Sequence, residues 1–182
     1  MFQTFLSQNI FETIIKPLKI VVMKVLYLLI MMMCNSIVSF AQNPIQDLKE
    51  IIQQQETDWN KNDIKAFSSV FSDDATLINF LGMYWKGREN IITEFSHINE
   101  CCIKPTMVKF EFLDSKMLSK NAAFAHIKET LTAKEDYAVP GGMVKKGTVS
   151  TKFITAIFEK SNKNKWEITS MQVTQVNVPP GK

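Results

Sequence analysis

The chain has 182 residues, with 21 basic and 18 acidic side chains and a formal net charge of +3. This length favours one small domain over a multidomain protein. Its Lys and Arg residues show no clustering of the kind that marks a nucleic-acid-binding face, so we expect no nucleic-acid partner.

The N-terminal segment has the order of a secretory signal peptide. A start at Met23 would place Lys24 directly after the initiator, ahead of an uncharged run that ends at Phe40. Small residues, Ser39 and Ala41, then precede a cleavage site before residue 42. We predict a leader over residues 1–41, an exported domain over residues 42–182 and no stable membrane association after cleavage. An uncleaved anchor stays open, although the run is shorter than the about 20 residues of a spanning helix.

Three helices are predicted in the first half of this domain. Apolar residues at helical spacing predict one helix from Ile45 to about Asn60. Asp63 is placed to cap a second helix, whose apolar side extends to Phe71. A third helix is predicted over residues 88–98, where isoleucines and Phe95 recur at helical spacing.

The rest of the domain is predicted to be strands. Alternating apolar residues and turn signals predict strands over residues 75–80, 84–85, 106–113, 122–133, 144–159 and 166–178. Helices followed by consecutive strands indicate an α+β fold, with three helices packed on one face of a curved, mainly antiparallel sheet.

Cys101 and Cys102 are adjacent in the sequence. Ordinary disulfide geometry separates the two Cα atoms more than neighbouring residues allow, so we expect two small apolar residues that close a helix. No metal site is expected, because these cysteines have no partners at the usual ligand spacing.

A set of apolar, turn and capping residues carries a resemblance to a known superfamily. These residues are Trp59-Asn60-x-x-Asp63, Phe67, Phe71-Ser72-Asp73-Asp74-Ala75, Asn79-x-x-Gly82, Trp85-x-Gly87-Arg88 and Ile91. On them the chain resembles the NTF2-like superfamily, and within it the SnoaL-like group that includes domains labelled DUF4440 or SgcJ/EcaC. The resemblance covers roughly residues 45–176 and implies a cone-shaped domain around one internal cavity. This fold hosts both enzymes and binding modules, so the resemblance alone assigns no activity.

The resemblance also implies positions for catalytic groups. The proton-moving Asp of ketosteroid isomerases falls at Asn79, their helix Tyr at Gln55 and their later strand acid near Thr155. The catalytic His of scytalone-dehydratase-like relatives falls at His126, and the Asp that orients it falls at Asn60. An amide cannot act as a general base. If the protein is an enzyme, we expect His126 to carry the proton and Asn79 to be a hydrogen-bond partner.

His126 lies in the predicted strand over residues 122–133. It shares one face of that strand with Phe124, Lys128 and Thr130, opposite Ala123, Ala125, Ile127, Glu129 and Leu131. The resemblance implies that His126 faces the cavity, where its imidazole could transfer a proton near neutral pH. A neutral histidine held by hydrogen bonds inside the cone is the alternative.

The predicted cavity wall combines aromatic residues with a few polar ones. It consists of Trp59, Leu77, Trp85, Phe95, Gln172 and Thr174, besides Asn79 and His126. This composition is typical of a small-molecule site, so we expect a small, largely apolar ligand and no cofactor. A non-catalytic module, whose cone is filled by its own side chains and which forms a homodimer through the open face of its sheet, is the alternative.

Overall fold

The computed structural model describes Lys19 and residues 21–28, 43–139 and 141–176. The chain divides into two compact units, residues 1–41 and 42–182. In the first unit, residues 21–28 are helical and exposed, and the predicted cleavage site lies outside the described residues. Within the described ranges, no helix has the length and apolar character needed to cross a membrane.

Two capped helices open the second unit. Helix α1 (Pro44–Asn60) begins at Asn43, whose side chain accepts a hydrogen bond from the Ile45 backbone N–H at 3.1 Å. Helix α2 (Ile64–Ser68) begins at Asp63, as predicted, because its carboxylate accepts the Ala66 N–H at 2.9 Å. These caps satisfy backbone donors that have no partner within the helix.

A six-stranded sheet forms the second layer of the domain, against which the helices pack. Its strands are β1 (Phe71–Ile78), β2 (Tyr84–Lys86), β3 (Thr106–Met117), β4 (Ala122–Ala133), β7 (Val149–Lys160) and β8 (Trp166–Gln175). Their spatial order is β2-β1-β8-β7-β4-β3, and every pair is antiparallel except β1 with β8, which is parallel. The predicted α+β fold with a curved, mainly antiparallel sheet is confirmed.

Element boundaries differ from the prediction in several places. Helix α2 ends at Ser68, and Phe71 begins β1, where it pairs with Ile168 of β8 ahead of a bulge. The segment before β7 forms a separate two-stranded sheet of β5 (Tyr137–Val139) and β6 (Gly142–Val144).

Beside this hairpin, Asp136 accepts hydrogen bonds from the Lys145 side chain and the Lys146 backbone, which lower the pKa of its carboxyl group.

Helix α3 (Arg88–His97) is joined to β1 through its first residue. Arg88 Nε donates to the Phe71 carbonyl oxygen at 2.6 Å, and its guanidinium pairs with Asp73 at 2.8 Å. The carboxylate of Asp73 is 94% exposed, so the bond to the buried strand contributes more than the ion pair.

A π-helical turn (Asn99–Ile103) connects α3 to β3. Cys101 and Cys102 lie in it and are joined to each other by a disulfide bond. The expectation of two unbonded apolar residues was therefore wrong, because this turn brings neighbouring sulfur atoms together.

Side chains of α1 hold the edge of the sheet. Asn60 donates to the Val108 carbonyl oxygen at 2.8 Å and accepts the Val108 N–H at 2.9 Å. Glu56 accepts the Phe110 N–H at 2.6 Å. Because β3 is an edge strand, these contacts satisfy backbone groups that would otherwise be open to another strand. They also fix the helix over the concave face of the sheet.

Candidate functional site

The alternation of side chains separates a buried concave face from an exposed outer face. The neighbouring strands β4 and β7 show this division. Side chains on their concave face are Ala123, Ala125, Ile127 and Glu129 of β4, and Lys152, Ile154, Ala156 and Phe158 of β7. Since successive residues of a strand point to opposite faces, the residues between them belong to the outer face. This division decides which predicted site residues can meet a molecule inside the cone.

Four of the predicted wall residues meet on the concave side. Trp85 and Leu77 are partners in the β1–β2 register, and both are buried. The Phe95 ring of α3 lies 5.1 Å from the Trp85 ring and 6.1 Å from the Trp59 ring, in edge-to-face arrangements. Phe67 joins the same cluster at 5.2 Å from Phe95. We call Trp59, Phe67, Trp85 and Phe95 the aromatic cluster.

A buried ion pair lies on the same concave face. Lys152 of β7 and Glu129 of β4 are register partners, and Lys152 Nζ donates to Glu129 Oε1 at 2.5 Å. The Lys152 side chain is 5% exposed and the Glu129 side chain 12%. Two charged groups on an otherwise apolar face are unusual and are paired when they occur. These two residues are charged groups buried on the concave face of the sheet.

The turn between β1 and β2 covers this pair with an aromatic ring. The Phe80 ring centroid lies 5.1 Å from Lys152 Nζ, within the range of a cation–π contact. Asn79 shapes the turn, because its side-chain oxygen accepts the Leu81 and Met83 N–H groups at 2.9 and 3.1 Å. Gly82 supplies the positive φ of 80° that the reversal needs. Asn79 is therefore a turn residue that positions Phe80, which differs from the catalytic role expected for it.

His126 does not lie on the concave face of the sheet. It lies between Ala125 and Ile127, both fully buried on the concave face, so its ring belongs to the outer face and is 44% exposed. Its Nδ1 lies 2.8 Å from Asp114 Oδ1 of β3. The prediction that His126 lines the cone was wrong, and with it the basis for a proton-carrying role on a ligand there.

Gln172 and Thr174 also lie on the outer face. In β8, Met171 is buried on the concave face, whereas Gln172 and Thr174 are exposed. The expectation that these two residues line the cavity was wrong for the same reason, since the alternation of the strand places them outside.

The residues at which the resemblance placed catalytic groups of isomerases and dehydratases have structural roles in this domain. Gln55 is buried and donates to the Phe67 carbonyl oxygen at 3.4 Å. Thr155 is exposed on the outer face, as the cross-strand partner of His126. Asn60 uses both its donor and its acceptor on Val108, and an aspartate there would set a carboxylate against a carbonyl oxygen.

The pair Glu129–Lys152 and the ring of Phe80 were missed as site residues. The available signal was a charged residue in line with the apolar residues of each strand face, Glu129 with Ile127 and Lys152 with Ile154. A second buried carboxylate, Asp58 of α1, accepts from Gln54 at 2.7 Å through Oδ1. Among the described residues, nothing donates to its other oxygen.

This arrangement of three helices over a curved sheet defines a cone-shaped α+β domain. No family model and no curated protein matches the sequence. Solved structures do match: a protein with a cystatin-like fold from Caulobacter vibrioides has a TM-score of 0.64 and 20% identity, over 73% of this chain and 89% of its own. An NTF2-like protein of unknown function from Shewanella oneidensis has a TM-score of 0.55 and 21% identity, over 72% and 98% of the two chains.

A ketosteroid isomerase-like protein from Erwinia carotovora atroseptica also matches. Its TM-score is 0.60 and its identity 16%, over 75% of this chain and 99% of its own. The chain therefore has the NTF2-like fold, and the fold that the resemblance implied is confirmed. The finer SnoaL-like or DUF4440 assignment stays a prediction.

Proposed function

We propose that residues 42–182 bind a small, largely apolar molecule on the concave face of the sheet. The observation that carries the proposal is the buried Glu129–Lys152 pair. Burying two charges costs free energy that an apolar pair of similar volume would not, and titratable groups in apolar surroundings are typical of functional sites. The pair supplies the polar anchor, and buried residues of the same strand faces, Ile127 and Ile154, supply apolar surroundings.

Any reaction at this site would be proton transfer. Glu129 is the base and Lys152 the neighbouring donor, because both lie inside the cone while His126 lies outside it. Acid–base isomerase, dehydratase and cyclase reactions use such a transfer. The isomerase-like protein among the matching structures is consistent with this chemistry.

A thermal-shift screen of lipids, aromatic acids and polyketide-like compounds tests the proposal. A ligand at a hundredfold excess over its Kd stabilises the folded state by about 2.7 kcal/mol, so a hit raises Tm. The shift should vanish in the double variant Glu129→Leu/Lys152→Met and persist in Phe153→Glu, which changes the outer face. A ligand that stabilises the double variant as strongly as the wild type would locate its site elsewhere.

A second candidate function is dimerisation through the outer face. Phe153 is 48% exposed there, and Ile157 lies exposed on the same face of β7, with Thr155 between them. Such a mixture of apolar and polar residues suits a homodimer interface. Sedimentation of the Phe153→Glu variant is expected to show a shift from dimer to monomer; an unchanged dimer would exclude this face as the interface.

Export of the domain is part of the proposal. It rests on the order of charge, apolar run and small residues before Gln42. Mass spectrometry of the protein from its native host should find Gln42 at the N-terminus. Finding residues 23–41 still attached in the secreted fraction would contradict cleavage.

A further inference from the structure

The hydrogen-bonding capacity of the Glu129–Lys152 pair is only partly used. The Lys152 ammonium has three N–H donors and no acceptor. Glu129 Oε1 takes one of these donors, and no other described residue accepts from Nζ. Glu129 Oε2 accepts no hydrogen bond from a described residue, and it is not among the fully enclosed unpartnered atoms. The pair therefore offers free donors and a reachable free acceptor side by side.

A hydroxyl group is the complement of this arrangement. Its oxygen accepts from an ammonium and its hydrogen donates to a carboxylate, so one group satisfies both members of the pair. An ether oxygen would leave the carboxylate unsatisfied. A carboxylate ligand would add a negative charge next to Glu129, where the charges of the pair already balance.

The position of Phe80 indicates which class of ligand carries that hydroxyl group. Its ring presents a π face to Lys152 Nζ at 5.1 Å, and the residue is 47% exposed. Because the ring is partly exposed on a surface turn, a second flat ring can pack against it beside Lys152. An aromatic ligand that packs against Phe80 brings its own hydroxyl group next to Lys152 and leaves the contact between Phe80 and Lys152 in place.

We infer that Glu129, Lys152 and Phe80 form a recognition site for a hydroxyl group on an uncharged aromatic ring. The inference rests on the proposed function, because it names the ligand class of the same site. Lys152 donates to the hydroxyl oxygen, Glu129 Oε2 accepts the hydroxyl hydrogen, and Phe80 selects a flat ring at the entrance.

Three small probes test the inference by NMR titration of the labelled protein. Phenol both donates and accepts, anisole only accepts, and benzoate carries the negative charge. Phenol is expected to bind about tenfold more tightly than anisole, since a hydrogen bond to a charged partner is lost in anisole. Benzoate is expected to bind more weakly than phenol, and the shifted resonances should include those of residues 80, 129 and 152.

Variants separate recognition from general binding. In Glu129→Leu/Lys152→Met, phenol should lose its advantage over anisole. In Phe80→Ala, phenol should bind several-fold more weakly while keeping its preference over anisole. The matched control is Glu111→Leu/Lys128→Met, which removes an ion pair from the outer face and should leave all three affinities unchanged.

Each other outcome has a defined meaning. Equal affinity for phenol and anisole on the concave face would overturn hydroxyl recognition and leave the proposed binding function standing. Absence of phenol binding would also overturn the inference, while the broader ligand screen still decides the proposed function. Binding of the probes to the outer face alone would overturn the inference in the same way, and the ligand screen would again decide the proposed function.

Discussion

Replacing Lys152 alone with methionine is expected to lower the free energy of unfolding by about 3–5 kcal/mol. The substitution leaves the Glu129 carboxylate buried without its only described cationic partner. Glu129→Leu alone should cost a similar amount, because it leaves the ammonium unpaired. Neither loss reflects the strength of the ion pair; both reflect the cost of a buried charge without a partner.

The double variant Glu129→Leu/Lys152→Met is expected to lie within about 1 kcal/mol of the wild type, or to be more stable. Urea unfolding of the four proteins gives the coupling free energy directly. The matched control is Glu111→Leu/Lys128→Met, whose pair spans 3.5 Å between exposed side chains and should contribute less than about 1 kcal/mol. A double variant as unstable as the single ones would mean that the pair is needed for folding, and a binding role would lose its support.

Local signals were enough to predict most helices and strands. The Asp63 cap and the bounds of β4, residues 122–133, follow from capping chemistry and from alternation within one strand. The end of α2 was missed because Phe67 and Phe71 are four residues apart, which is also helical spacing. Phe71 belongs to β1 because it pairs with Ile168, a contact between distant parts of the chain that no local pattern contains.

The site residues were harder to predict, because the face of the sheet on which a side chain lies depends on the register of its strand. Shifting a strand by one residue moves every side chain to the opposite face. The resemblance carried catalytic positions onto His126 and Thr155, and both lie on the outer face. The apolar alternation of β4 alone would have placed His126 opposite Ile127, outside the cone.

Pairing Glu129 with Lys152 required the path of the chain between them. The two residues are 23 positions apart, and the intervening segment contains the β5–β6 hairpin. Each strand shows a charged residue in line with the apolar residues of its buried face, which is a visible signal. Their contact follows only once the β4–β7 register is fixed.

Phe95→Ala is expected to lower the free energy of unfolding by about 3–5 kcal/mol. The Phe95 ring lies within 6.1 Å of three other rings of the aromatic cluster, and its side chain is buried. Truncation removes these edge-to-face contacts and leaves a cavity that the helices and the sheet can close only in part. Urea unfolding followed by tryptophan fluorescence measures the loss, since Trp59 and Trp85 both contact this ring.

The control for Phe95→Ala is Phe153→Ala, the same substitution on the outer face. Phe153 is half-exposed there, so its loss should cost much less than that of Phe95. The change in free energy of unfolding caused by Phe95→Ala also shows whether the ring contacts packed side chains or open space. If Phe95 lies in a packed core, the free energy of unfolding falls by the full expected amount. A loss below about 1 kcal/mol would mean that the ring already borders open space and lines a ligand site.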